Sequence, residues 1–294
     1  MIALITGASS GMGRQMAIGL AKRGFNLVIV ARRQQRLYEL KKELTETYGV
    51  KVKVIAKDLS KAEECIALYK EVESANIDIV INNAGFGVFG AFDETPLEDE
   101  LKMINVNITA VHILTKLFLQ KFKKRNSGYI LNVASLAAFM AGPLFSSYYA
   151  SKNYVLQLTK AIYEELRMAK SNVYIGAFCP GPVRTEFNEI SGAEFAVRGM
   201  DEKDAAEYAL EKMFDGELII VPTFGSKFLA AASKFAPTKF FLAATGKVQK
   251  KRLNEGTEEK KDTAAHVENV KAKPLTEEDI LTLTKSESEN EDNE

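Results

Sequence analysis

Tyr148 and Lys152 stand four residues apart in the stretch Ser146-Ser147-Tyr148-Tyr149-Ala150-Ser151-Lys152-Asn153. On a helix, positions i and i+4 share a face, so the lysine ammonium can sit beside the phenol and favour its ionised form. A phenol near its ordinary pKa of ~10 exchanges protons slowly at neutral pH, and a neighbouring cation moves it toward the working range. The pair is therefore a candidate for moving a proton. Tyr149 lacks this partner, because the residue four further on is the uncharged Asn153. A second candidate is the turn Thr6-Gly7-Ala8-Ser9-Ser10-Gly11-Met12-Gly13, which ends an apolar run and leads into a helical pattern from Arg14 to Lys22. Gly7 allows a tight exit from the run. Gly11 lets backbone amides approach a pyrophosphate, and Gly13 lets the helix pack closely with its N-terminus facing the negative charge. Ser9, Ser10 and Met12 complete this candidate phosphate cradle. Its spacing is G-x-x-x-G-x-G rather than G-x-G-x-x-G, and a purely structural turn is the alternative reading.

Residue counts exclude other chemistries. With only two histidines, His112 and His266, no multi-histidine metal site or Ser-His-Asp triad is expected. The two cysteines, Cys65 and Cys179, form no C-x-x-C pair and no disulfide framework, which fits a reducing cytoplasm. The zero net charge hides an asymmetry. Residues 255–294 hold 13 acidic side chains against five lysines, a charge of −8, and the preceding 254 residues carry +8. A basic body can attract an acidic ligand, although such charge is also common on ordinary domains.

Positioning these groups requires a frame. Apolar, β-rich runs occur at Ile2 to Thr6, Asn26 to Ala31, Val52 to Ala56, Asp78 to Asn82, Tyr129 to Ala134, Val173 to Phe178 and Leu218 to Val221, with helical patterns between them. Seven strands separated by helices predict an α/β fold with a doubly wound, Rossmann-type parallel sheet. Continuous runs such as Leu27-Val28-Ile29-Val30 are those of strands buried on both faces. The expected organisation is a catalytic domain over 1–225, a basic amphipathic helical extension over 226–254, and a disordered acidic tail over 255–294. No run reaches the ~18 apolar residues of a membrane span, and the N-terminal run is too short for a signal sequence.

Further motifs follow the turn in order: Asn82-Asn83-Ala84-Gly85, Asn107 after Val106, Ser135 after the fifth run, Tyr148-x-x-x-Lys152, and Pro180-Gly181-Pro182-Val183-Arg184-Thr185. With T-G-x-x-x-G-x-G they resemble the short-chain dehydrogenase/reductase family over residues 6–185, less specifically to about 250. Within it the chain is similar to a bacterial, NADP(H)-dependent group related to 3-oxoacyl and hydroxysteroid reductases. The resemblance implies hydride transfer with a nicotinamide cofactor. Tyr148 would act as general acid in reduction and as base in oxidation. Ser135 would bind the substrate oxygen, Asn107 would hold a water that links Lys152 to solvent, and Lys152 would also contact the nicotinamide ribose. Asp58-Leu59 resembles the family's adenine-binding pair. Asn83, Ala84, Gly85, Pro180, Gly181, Val183 and Thr185 would complete the cofactor site. Asn105, Ser146, Ser147, His112 and His266 are read as packing, capping or surface residues.

Arg32-Arg33 closes the second run, and no carboxylate appears until Glu39. A carboxylate there would repel a 2′-phosphate, whereas arginine binds it, so NADP(H) is favoured over NAD(H). The alternative is that both arginines merely open an exposed helix. Apolar residues in 186–200, where the family places its lid, suggest a hydrophobic carbonyl or alcohol substrate, with Phe139, Met140 and Phe145 as an opposite wall or as core. The basic, aromatic segment 226–252 predicts short helices on either side of Pro237. These can lie on an anionic membrane, cover the substrate mouth, or pack on the body or another subunit. A homo-oligomer is expected and a nucleic-acid partner is not. Two functions remain open: a carbonyl reductase, which Asn107, Ser135, Tyr148 and Lys152 together favour, and a non-catalytic dinucleotide-binding regulator on the same fold.

Overall fold

Strand β1, Ile2–Thr6, places Ala3 and Ile5 on one face of the sheet and Leu4 on the other, all fully buried. A strand covered on both sides needs apolar residues at every position, which is why these strands read as unbroken runs. In the computed structural model, which describes residues 1–187, 199–235, 239 and 242–250, seven strands form one parallel sheet. They are β1, β2 Asn26–Ala31, β3 Val52–Ala56, β4 Ile77–Asn82, β5 Tyr129–Val133, β6 Tyr174–Phe178 and β7 Ile219–Ile220, in the order β3-β2-β1-β4-β5-β6-β7. The expected runs are met within one residue at either end. Where the fit is loosest, at β7, the strand pairs only with β6 and keeps two residues.

Helices cover both faces. On one side α1 Gly11–Lys22, α2 Gln34–Tyr48 and α7 Glu202–Phe214 pack Met16, Leu20, Leu37, Leu40 and Leu210 against Ala3 and Ile5. On the other, α3 Ala62–Val72, α5 Val111–Arg125 and α6 Ser146–Met168 pack Leu68, Phe118, Phe122 and Leu166 against Leu4 and Val80. A short α4, Leu97–Ile104, runs into α5 through a π-helical turn at Asn105–Ala110. Asn107 lies within this turn, which inserts an extra residue into the helical path at that point. Within the buried layer, the Asn82 amide donates to Asn132 at 2.8 Å and to Thr115 at 3.1 Å, and the Asn132 amide donates to Thr159 at 3.0 Å. These bonds tie β4 and β5 to α5 and α6.

Helix α8 spans Phe224–Phe235, and residues 242–250 are helical, so the two helical pieces expected in the basic segment flank residues 236–238. The expected acidic tail and residues 188–198 of the expected lid lie outside the described residues.

The strand order reverses between β1 and β4, so the crevice beyond their carboxyl ends is the natural ligand site of such a sheet. There Gly13 lies so close to the β1 turn that an added Cβ would come within 2.3 Å of the Gly7 carbonyl oxygen and 2.4 Å of Asn83 Nδ2. Gly13→Ala should therefore lower stability by about 1–3 kcal/mol, an overpacking penalty that urea unfolding of the two proteins will measure.

Candidate active site

The β1 turn is held by a hydroxyl. Thr6 Oγ1 accepts from the backbone amides of Asn83 and Ala84, each at 3.0 Å, and Asn83 Nδ2 donates to the Thr6 carbonyl at 3.0 Å. The ends of β1 and β4 are thus locked side by side. Gly7 and Gly11 adopt φ of 68° and 54°, the left-handed region that side chains disfavour. A Cβ on Gly11 would sit 3.3 Å from the Thr185 side chain, which places the Pro180–Thr185 segment over the cradle. Val183 and Met200 form a parallel bridge, which sets the Pro180–Thr185 segment beside the chain just before α7.

Beyond β5, the tyrosine, serine, lysine and asparagine come together. Tyr148 and Lys152 are both buried on α6, and Ser135, just past β5, lies near enough to the Tyr148 phenol to act on its titration. Lys152 Nζ donates to the Val133 carbonyl at 2.9 Å and lies 5.8 Å from the centre of the Tyr148 ring. Gly85 is packed between partners, since an added Cβ would meet Asn107 Oδ1 at 2.9 Å and Lys152 Nζ at 3.1 Å. Asn107 is fully buried. It accepts from the Phe86 amide at 3.1 Å, donates to the Phe86 carbonyl at 2.9 Å, and donates to Ser151 Oγ at 3.0 Å.

The electrostatics correct one expectation. Burial pushes the Tyr148 phenol above its ordinary range, and the influence of Ser135 opposes this without cancelling it. Burial also pushes Lys152 down to about 8. Desolvation thus dominates both groups, and the Tyr148 phenol is shifted away from ionisation rather than toward it.

The competing residues have structural partners. Tyr149 accepts from Gln249 at 2.9 Å, Ser147 donates to Glu100 at 2.7 Å, Asn105 accepts from Thr109 at 3.4 Å, and His112 pairs with Tyr154 at 2.7 Å on the surface. His266 lies outside the described residues.

At the cradle, Arg33 rather than Arg32 turns inward. Its guanidinium donates to Ser10 Oγ at 2.6 Å and to Ser9 Oγ at 3.2 Å, while Arg32 is exposed and acts on Asp58. Burial raises the Asp58 carboxyl, but the Ser60 hydrogen bonds and the Arg32 charge hold it below its ordinary value. Leu59 beside it is buried. Arg36 and Glu186 escape the sequence reading. Both line a cavity of ≈ 400 Å³ together with Ser9, Ser10, Gly11 and Arg14. Arg36 lies three residues after Arg33 on the same helical face, a spacing that could have found it. Glu186 carries no local signal.

An apolar wall surrounds the phenol. Phe145 stacks on Tyr148 at 4.5 Å, Phe187 lies 5.4 Å from it, and Phe89 meets Phe145 edge-on at 5.6 Å. Met103 and Phe86 join this cluster from other elements and carry no signal in their local sequence. Phe139 instead packs with Val155 and Ala177 in a separate cluster, the core alternative expected for it. Behind the wall, Gln249 and Thr245 hydrogen-bond Tyr149 and the Ala141 carbonyl, so helical residues 242–250 pack on the body.

The family model for short chain dehydrogenases matches residues 1–194. The chain belongs to the short chain dehydrogenase family. It is similar to the very-long-chain 3-oxoacyl-CoA reductase of Anas platyrhynchos, 32% identical over 198 residues that cover 66% of this chain and 63% of that protein. It is also similar to 17-beta-hydroxysteroid dehydrogenase type 3 of Homo sapiens, 32% identical over 212 residues, 70% of this chain and 67% of that one. The chain spans about half to two thirds of the length of the first curated relatives it matches. They come from vertebrates and a fungus and do not single out a bacterial group. A short-chain dehydrogenase from Sphingobium yanoikuyae in complex with NADPH superposes with a TM-score of 0.74 at 32% identity, covering 80% of this chain and 93% of that one. One from Burkholderia phymatum in complex with NAD shares the fold, with a TM-score of 0.71 at 24% identity over 78% and 91% of the two chains.

In this short chain dehydrogenase the folded-state pKa of Lys152, about 8, lies below its ordinary 10.5. The unfolded chain holds that proton more readily between the two values, so Lys152 makes stability rise with pH across this window. Tyr148, shifted upward from 10.0, acts in the opposite direction only above that value. Between pH 8 and 10, urea unfolding without added nucleotide should show a gain in the wild type, relative to Lys152→Met, of about 2 kcal/mol.

Proposed function

We propose that the protein is an NADP(H)-dependent oxidoreductase that reduces a hydrophobic ketone or 3-oxoacyl compound to an alcohol. The observation that carries this reading is the Tyr148 phenol, set near Ser135 and walled by Phe145 and Phe187, beside a glycine-lined cradle at the carboxyl edge of the sheet. The residues present fit a nicotinamide dinucleotide. The cradle suits its pyrophosphate, Asp58 and Leu59 its adenine, and Lys152 with the 83–85 and 180–185 segments its nicotinamide half. When bound, that cofactor supplies the hydride.

Tyr148, kept protonated by burial, donates its proton to the substrate oxygen, and Ser135 hydrogen-bonds the same oxygen as negative charge develops on it. Asn107 and Lys152 adjoin each other across Gly85, where they support a water relay that returns the proton from solvent. A regulator without catalysis would not require this quartet, so its assembly supports the enzyme. The apolar wall agrees with the names of the relatives, which include a very-long-chain 3-oxoacyl-CoA reductase, a hydroxysteroid dehydrogenase and a ketone-specific alcohol dehydrogenase from Comamonas testosteroni. Structural neighbours hold either NADPH or NAD, and the choice of NADP(H) rests on Arg33 and Arg36 at the cradle.

A cytoplasmic location belongs to the proposal, supported by two free buried thiols. So does self-association, supported by the exposed Leu97 and Leu101 one turn apart on α4. Peripheral contact with an anionic membrane is supported by Phe224 and Phe228, 85% and 69% exposed on α8 around Lys227. No helix among the described residues is long and apolar enough to cross a membrane.

A panel of 3-oxoacyl thioesters, steroid ketones, aldehydes and small diketones, followed by loss of nicotinamide absorbance, tests the activity. Tyr148→Phe should lower turnover of any active substrate by about 10²-fold or more while NADPH affinity stays within about twofold. Arg33→Ala should weaken NADPH binding roughly ten- to hundredfold and barely change NADH binding, as calorimetry will show. For the membrane contact, Phe224→Ser/Phe228→Ser should abolish co-sedimentation with phosphatidylserine vesicles at low salt; no sedimentation of the wild type would remove that partner.

A further inference from the structure

Arg33, the residue that opens α2, and Arg36 one turn later aim their guanidinium groups at a single carboxylate. Arg33 Nη1 donates to Glu186 Oε2 at 2.8 Å, and Arg36 Nη1 donates to Glu186 Oε1 at 2.6 Å. The hydrogen bonds from both arginines hold the Glu186 carboxyl below the usual carboxylate range. Two convergent guanidinium groups sharing one oxyanion make a geometry that suits phosphate as well as carboxylate.

The other two Arg33 nitrogens also have partners. Nε and Nη2 point at Ser9 Oγ, at 3.3 and 3.2 Å, and Nη2 also reaches Ser10 Oγ. An incoming phosphate would share these guanidinium groups with the partners they already hold. Of the three partners only Glu186 is an anion, and within a few ångströms it repels a second anion. Its position is also informative: Thr185, just before it, lies over the cradle, and Phe187, just after it, packs near the Tyr148 ring.

We infer that Glu186 is an internal anion that competes with the 2′-phosphate of NADP(H) for the Arg33–Arg36 pair, and so limits the preference for NADP(H) over NAD(H). This rests on the NADP(H) reading above. A nucleotide without the 2′-phosphate leaves the Glu186 ion pairs intact. One that carries it displaces the carboxylate. The side chains involved are 36–45% exposed, so solvent screens the competition, and its size is modest.

The test is calorimetric titration of the full-length protein at low ionic strength with 2′,5′-ADP and with 5′-AMP, two fragments that cannot turn over. Glu186→Gln keeps the shape and removes the charge. It should tighten 2′,5′-ADP about three- to tenfold and leave 5′-AMP within about twofold. Thermal melting should show both proteins folded, because Glu186 is a partly exposed surface residue. If the wild type prefers 2′,5′-ADP and Glu186→Gln leaves its affinity unchanged, the inference is overturned and the NADP(H) reading stands. Weaker 2′,5′-ADP binding in the variant also overturns it, and identifies Glu186 as a latch that closes over bound nucleotide. Equal tightening of both fragments means a general charge effect and overturns it as well. If neither protein distinguishes the fragments, the inference and the NADP(H) reading fail together. A preference seen only in Glu186→Gln supports the inference and removes the NADP(H) preference of the wild type.

Discussion

The ammonium of Lys152 lies inside the protein, and the organisation of the site follows from accommodating it. A buried cation needs acceptors, and Nζ takes the Val133 carbonyl at the end of β5. The remaining space around it is shared with Asn107 Oδ1, which leaves no room for a side chain at residue 85 and makes glycine there a packing requirement. Asn107 reaches this point from the π turn between α4 and α5, and its amide engages both backbone groups of Phe86. Its third bond goes to Ser151, whose hydroxyl donates to the Tyr148 carbonyl at 2.7 Å. The lysine, the asparagine and the backbone beneath the tyrosine are therefore one connected unit.

The same burial decides the protonation states. Burial disfavours the charged form of Tyr148, packed among Phe145 and its neighbours, and of Lys152 alike, so the phenol goes up and the ammonium comes down. A phenol held protonated at neutral pH is the form that the proposed reduction consumes. The aromatic wall serves that proton donor and, by the same contacts, defines an apolar surface next to it.

Thr185, Glu186 and Phe187 connect the two ends of the crevice in three consecutive residues: cradle, arginine pair and phenol. A change in the ion pairs of the middle residue therefore bears on both neighbours. The bridge between Val183 and Met200 joins the start of this stretch to the chain just before α7.

Local rules account for what the sequence determined. Strands buried on both faces must be continuously apolar, so the seven runs and the parallel sheet were legible, as were the glycines at 7 and 11, whose backbone angles exclude most side chains. The four-residue spacing of Tyr148 and Lys152 is fixed by helix geometry and needed no tertiary information. The chain could not show, from spacing alone, that desolvation moves Tyr148 up and Lys152 down, because that depends on how deeply packing buries both groups. Nor could it choose Arg33 over its neighbour Arg32, since the orientation at the end of β2 is set by packing against the cradle. The π turn at Asn107, the walls supplied by Phe86, Phe89 and Met103, and the carboxylate brought 153 residues along the chain to Arg33 were decided only by the tertiary structure. Each depends on contacts between segments far apart in sequence, and no local pattern encodes which distant segment will arrive.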